Sequence, residues 1–301
     1  MKKSVISAIG HVALQVEDLD AAVEHATTIM GLRVVEATTT QVDLTHGAPR
    51  HSLQYIAADA DGFDHLGLEA DGPEALQEIR DRLERAKVPL LGEGPIDDCL
   101  GEGIVFETPA GMIFEVYTGM PQDQPNYAGT GIRPRRFGHV NFSVEDPQEM
   151  IAFCREVLDF RISDHFRGGA FMRCNAEHHG MGMLKGRGIL HHHAWEIESL
   201  ADLGRLGDLV EELGDRLIAG PVRHGMGNNL AAYIEGPGGV AVEYYADMYK
   251  IWDESSYTPG HWSEDDPGWY SRWTPDLPGE RFRGLGAHQA PGVRERVASK
   301  S

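Results

Sequence analysis

Three blocks of this chain occur twice, in one order and at nearly one spacing, and this constrains the fold more than anything else in the sequence. Gly10-His11-Val12 with Val16-Glu17-Asp18 returns 128 positions later as Gly138-His139-Val140 with Val144-Glu145-Asp146. Residues 64–69 align with 191–196 at an offset of 127, which sets His65 opposite His192, and residues 109–115 align with 237–243 at 128, which sets Glu115 opposite Glu243. In the same register Gly31-Leu32-Arg33 stands opposite Asp159-Phe160-Arg161. Such self-similarity is the signature of a duplicated unit. With 301 residues, each copy is long enough to bury its own core.

Each copy is itself built from two smaller units. Residues 18–30 and 146–158 come after a strand pattern and carry apolar side chains at helical spacing behind an Asp suited to cap a helix; residues 73–86 and 200–217 do the same after the His65 and His192 strands. The segment after each helix is β-branched or alternating and broken by Gly and Pro, as between residues 218 and 245. The fold class expected is α+β: two tandem domains, each of two βαβββ modules, with boundaries at 1–130 and 131–247 and a junction near 129–134. Residues 248–301 have no counterpart in the first copy and are expected to form an irregular tail rich in Trp, Pro, Asp and Gly.

Composition narrows the partners. Lys and Arg total 27 against 47 Asp and Glu, a formal charge of -20, and that excess repels phosphate backbones and anionic lipid, so neither nucleic acid nor membrane is expected. Cys99, Cys154 and Cys174 are odd in number and lack CxxC spacing, which reads as reduced thiols in a cytoplasmic protein. The N-terminal apolar stretch is too short for a signal peptide, and no run of about 18 apolar residues marks a membrane span.

Two imidazoles and one carboxylate hold a divalent first-row metal while leaving coordination positions open for reactants. His139, His192 and Glu243 supply that set from three strands of the second copy. Strand side chains alternate between faces, so His191, His192 and His193 cannot all reach one ion. The repeat selects His192; an error of one residue in register would move the ligand to His191 or His193.

The Gly-His start, the Leu190-His191-His192 strand, the Gly220-Pro221-Val222-Arg223-His224-Gly225 segment and the closing strand from Pro237 to Tyr245 together resemble the extradiol ring-cleaving dioxygenases of the vicinal oxygen chelate superfamily. That group includes the catechol, dihydroxybiphenyl and homoprotocatechuate 2,3-dioxygenases. The resemblance covers nearly the whole chain. It implies cupped sheets of paired βαβββ modules, iron(II), or manganese(II) in its place, on His139, His192 and Glu243, and a catechol bound to the metal beside dioxygen, in a homo-oligomer of four or more subunits. It further implies His179 as the group that acts on the bound diol and oxygen, His224 and Tyr233 as pocket groups donating to the diol oxygens, and Asn141 as a pocket position. Phe171 and Tyr245 complete the expected substrate contacts. These roles suit the chemistry, because a metal and a nearby base let a weakly acidic catechol bind as an anion, and a histidine exchanges protons near neutral pH.

His11, His65 and Glu115 keep the triad in the first copy, where these dioxygenases usually lost it, and His51 occupies the place of His179. No histidine between residues 92 and 106 matches His224, and Val105 or Phe106 stands where Tyr233 would be. A first-copy site is therefore expected not to turn over a diol, with metal binding left open. Two other readings share the scaffold: a glyoxalase-like metal-dependent lyase or isomerase, and a ligand-sequestering protein of the bleomycin-resistance type. For the substrate, Ala219 stands five residues before His224, where the homoprotocatechuate enzymes use arginine, which suggests an uncharged catechol; Arg272, Arg281 and Arg283 argue the other way. The tail, with Trp252, Trp262, Trp269, Tyr270 and Trp273, is either a wall of the pocket or an oligomer contact.

Overall fold

In each copy a strand, a helix and three strands succeed one another twice. The computed structural model describes residues 4–123 and 130–300. The first copy runs β1 (Ile6–Val16), α1 (Leu19–Thr28), β2 (Arg33–Ala37), β3 (Gln41–Thr45), β4 (Leu53–Ala57), then β5 (Gly62–Ala70), α2 (Pro73–Arg85), β6 (Leu90–Gly92), β7 (Gly103–Glu107) and β8 (Ile113–Tyr117). The second runs β9 (Arg136–Val144), α3 (Pro147–Glu156), β10 (Arg161–Phe166), β11 (Gly169–Arg173), β12 (Met181–Lys185), then β13 (Ile189–Glu196), α4 (Leu200–Glu212), β14 (Ala219–Arg223), β15 (Leu230–Glu235) and β16 (Ala241–Ala246). The expected four βαβββ units are all present. The Asp18 carboxylate accepts from the Ala21 N–H, and that of Asp146 from the N–H groups of Gln148 and Glu149, so the two repeated Asp residues cap α1 and α3. Helix α4 stops short of residue 217 because Gly214 turns into left-handed backbone at φ +82°. The junction expected at 129–134 begins outside the described residues.

The first sheet has the order β2-β3-β4-β1-β5-β8-β7-β6. At its centre β1 pairs parallel with β4 and antiparallel with β5, and β5 pairs parallel with β8. The second sheet repeats this with β9, β12, β13 and β16. Two register shifts recur at matching places. Gly10 and Gly138 are the extra residues just before His11 and His139, and Asp64 and His191 are the extra residues just before His65 and His192. A bulge of this kind bends the strand and re-aims the next side chain.

One apolar core runs through both copies. Phe142 of β9 packs edge-on against Phe63 of β5 at 5.4 Å between ring centres and at a tilt against Phe114 of β8 at 5.8 Å. Phe153 of α3 meets Phe106 of β7 at 5.8 Å. The tail is more ordered than its composition suggests. It adds β17 (Gly260–Trp262) to the edge of the second sheet beside β10, then α5 (Glu280–Gly284) and β18 (Ala287–His288), and ends in α6 (Val293–Lys300), which returns to β6 of the first sheet. No helix among the described residues is long and apolar enough to cross a membrane. Replacing Phe142 with Ala leaves a hole where the two copies meet and is expected to lower stability by about 3–5 kcal/mol, read by urea unfolding.

Candidate metal centre and active site

Each Gly-His pair is fitted to a tyrosine two residues beyond the ligand glutamate. A Cβ on Gly138 would lie 1.9 Å from the Tyr245 hydroxyl, and one on Gly10 would lie 2.0 Å from that of Tyr117. The tyrosine rings then pack against His139 at 5.0 Å and against His11 at 5.4 Å. In the second copy this brings His139 Nε2 to 3.1 Å and His192 Nε2 to 3.2 Å from Glu243 Oε2. Burial alone would raise the pKa of the Glu243 carboxyl; the charges and hydrogen bonds of His139 and His192 outweigh it and hold the group well below 4.5. A carboxylate bracketed by two imidazole nitrogens suits a divalent transition metal, iron or manganese.

A hydrogen bond behind the site presets the tautomer of His192, whereas His139 Nδ1 has no hydrogen-bond partner among the described residues. The Phe282 carbonyl can only accept, so His191 donates to it from Nε2 at 3.0 Å. Burial lowers the pKa of His191 to about 3, so the ring is neutral and its Nδ1 accepts from His192 Nδ1–H at 2.8 Å. With Nδ1–H committed in this way, His192 Nε2 would offer its lone pair to a metal held together with Glu243. The bulge puts His191 beside His192, whereas His193 accepts the Trp195 indole N–H and lies apart.

A second relay ends on His179. Asp164, held ionised below 3.8 by hydrogen bonds from His178, Trp262 and the Gly260 N–H that outweigh its burial, accepts from His178 Nε2 at 3.2 Å. His178 Nδ1 then accepts from His179 Nδ1 at 3.0 Å. Nε2 of His179 is left as the nitrogen free to exchange a proton, and burial lowers this group's pKa well below 6.5, so it is a neutral base. His224 donates from Nδ1 to the Tyr270 carbonyl at 2.6 Å and accepts the Tyr233 hydroxyl on Nε2 at 2.8 Å. In this arrangement Tyr233 has a donor to redirect toward a ligand; neutral His224 does not, in contrast to the donating role expected of it.

All three ligands, with His179, His224, Tyr233, Asn141 and Phe171, line one cavity of about 420 Å³, a volume typical of small-molecule sites. Phe171 meets His179 edge-on at 4.9 Å. Tyr245 is not on the wall: it is 1% exposed, packs on His139 and accepts from Arg136, so it positions the ligand rather than touching a substrate. Of the tail aromatics, Trp269 and Tyr270 line the cavity, Trp252 and Trp273 are exposed, and Trp262 acts through Asp164. Ala219 lies off the cavity, packed with Val222 and Ala231, so its small side chain says nothing about the substrate. Sequence reasoning missed Asn229, whose side-chain amide donates to Glu243 Oε1 at 3.1 Å, and the supporting roles of His178, His191 and Asp164. It also missed Leu277, Pro278 and Phe282, tail residues that form part of the wall; of the three tail arginines weighed for the substrate, Arg283 lines the cavity. The pair His178-His179 was a readable signal; Asn229, in a turn without a repeat partner, gave none.

The first-copy triad is just as buried, with His11, His65 and Glu115 all 0% exposed, but it lies off the cavity. His11 Nε2 is 3.1 Å from His65 Nε2 and 3.4 Å from Glu115 Oε2. Here burial prevails and the Glu115 carboxyl is held above 4.5 in spite of His65.

The sequence pattern of the Glyoxalase/Bleomycin resistance protein/Dioxygenase superfamily matches residues 8–116 and again 136–244. The chain belongs to this superfamily. Within it, the manganese-dependent 2,3-dihydroxybiphenyl 1,2-dioxygenase of Geobacillus genomosp. 3 is 25% identical over 291 residues, 87% of this chain and 91% of that protein. Among solved structures, the Mn(II)-bound glyoxalase from Novosphingobium aromaticivorans superposes with a TM-score of 0.85 at 27% identity, over 96% of this chain and 97% of the other. Homoprotocatechuate 2,3-dioxygenase from Arthrobacter globiformis shares the fold with a TM-score of 0.85 at 19% identity, over 96% of each chain.

Asn229→Ala removes the side-chain amide that donates to the second oxygen of Glu243, and is expected to weaken metal binding about 10–100-fold, measured by metal titration of the apoprotein.

Proposed function

We propose that the chain is an extradiol dioxygenase that opens the aromatic ring of a catechol-type substrate with dioxygen, at iron(II), or manganese(II) in its place, held by His139, His192 and Glu243. The observation that carries this reading is a three-donor site sharing one cavity with two separate proton-handling groups, His179 and the Tyr233–His224 pair. A bound metal supplies a Lewis acid with open positions, which acidifies a coordinated diol and holds it beside oxygen. His179 takes a diol proton on Nε2 and returns it later in the reaction, while His178 and Asp164 keep its other nitrogen committed. Tyr233 turns its hydroxyl from His224 to a diol oxygen. Phe171, Met226 and Phe282 give the inner wall an apolar surface that displaces water and strengthens these polar contacts. Both oxygen atoms enter the product, and the ring opens beside the hydroxyls to give a hydroxymuconic-semialdehyde type of compound, as in aromatic catabolism. The same reading carries a cytoplasmic homo-oligomer of four or more subunits.

The outer wall supports a substrate with an acidic substituent. Lys185, Arg187 and Arg283 line the cavity there with exposed side chains. A second reading, a glyoxalase-like lyase or isomerase, is favoured by the likeness to the Mn(II)-bound glyoxalase. Such an enzyme would convert its substrate without consuming oxygen.

After anaerobic loading with iron(II), oxygen uptake and a yellow product are expected across a small panel of catechols; absence of uptake with every member would reject ring cleavage. His179→Gln is expected to keep its metal and lower kcat about 10²–10⁴-fold, and unchanged turnover would remove His179 from the mechanism. Arg283→Ala is expected to raise KM for catechols bearing a carboxylate while leaving KM for catechol itself unchanged, as steady-state kinetics will read.

A further inference from the structure

The first sheet repeats the cup of the second, yet its concave side is filled. Val105 pairs with Glu115 across β7 and β8 in the register that sets Tyr233 opposite Glu243 across β15 and β16. Val293 and Val297 of α6 pack there with Val105, Ile96 and Ile113 in a separate apolar cluster. The terminal helix thus occupies the side that in the second copy holds the cavity. Beneath it the triad is intact. Glu115 Oε2 accepts no hydrogen bond although the residue is fully buried, and it lies 3.4 Å from His11 Nε2 and 3.9 Å from His65 Nε2.

His65 and Glu115 carry the supports of a built metal site, while His11 Nδ1 has no hydrogen-bond partner among the described residues. Asp64 accepts from His65 Nδ1 at 2.7 Å, which leaves the His65 Nε2 lone pair facing Glu115 and His11, and Asp64 is itself held by Gln15 and by Arg296 of α6. Glu115 Oε1 accepts the Ile96 N–H, and the Ile96 carbonyl accepts from Lys300 of α6. A carboxylate hydrogen-bonded to the far nitrogen of a ligand histidine fixes its tautomer and raises its basicity. Two imidazoles and a carboxylate converging out of solvent leave negative charge and lone pairs that a cation satisfies.

We infer that His11, His65 and Glu115 bind a second divalent first-row transition ion in each chain, a closed structural ion that α6 locks in place through Arg296 and Lys300. Val105 and Ile96, which stand where the second copy has Tyr233 and His224, leave this ion without groups for diol chemistry. The ion ties β1, β5 and β8 together at the centre of the first sheet.

The test is a count of bound metal, so it does not depend on the ring-cleavage reading. After loading with Mn(II) and desalting, the wild-type chain is expected to hold about two ions, and the His139→Ala/Glu243→Ala chain about one, which the further change His11→Ala removes. A double variant that folds but holds no metal overturns the inference. Should that variant fail to fold, the wild-type count decides: two ions support the second site and one ion rejects it. Arg296→Ala is expected to release one of the two ions to a chelator at least tenfold faster; release of both at the wild-type rate would reject the locking role of α6.

Discussion

Burial of a glutamate carboxylate against two imidazoles is the constraint on which each half of this molecule is built. Glu243 is 1% exposed and Glu115 0%, and an unmet carboxylate in such a place is unfavourable by several kcal/mol. The fold answers by drawing one histidine from each of two central strands onto the same spot. This requires bulges at Gly10 and Gly138, and a glycine at each, because the tyrosine that braces the histidine leaves no space for a side chain. The Gly-His pair, the bulge, the tyrosine and the glutamate are parts of one packing solution.

The solution is used twice with different outcomes, and the tail makes the difference. In the second copy the tail passes over the rim and supplies Trp269, Tyr270 and Phe282 as wall, leaving a cavity above the ligands. In the first copy α6 lies on the corresponding side and fills it with valine. Duplicated cups therefore become one open site and one closed one without any change in the ligand residues. The tail also reaches the residue just before the second ligand histidine in both copies: Arg296 holds Asp64, and the Phe282 carbonyl holds His191. Each contact sets the tautomer of the neighbouring ligand from a distance of more than 90 positions in sequence.

Much of this was legible in the chain alone. Recurrence of Gly-His, His and Glu at one offset disclosed the duplication, the four modules and both triads, because a packing solution copied in sequence keeps its spacing. The choice of His192 over its neighbours came from the same register. Alternation along an ideal strand predicted that His191 would face away; the bulge, a feature with no residue signature at that position, puts it beside the ligand instead. Tyr245 was expected at the substrate and proves to be a brace for His139, since residue type does not distinguish an aromatic side chain in a pocket from one beneath it.

Which residues could bind metal was readable from chain order, since that depends on donor chemistry and on a repeat that the order preserves. Contacts in the folded chain settle which triad opens to a small molecule, which nitrogen of His65, His179, His192 and His224 is committed, and where the tail lies. Those properties arise from contacts between segments as distant as Asp64 and Arg296, whose pairing no local pattern records.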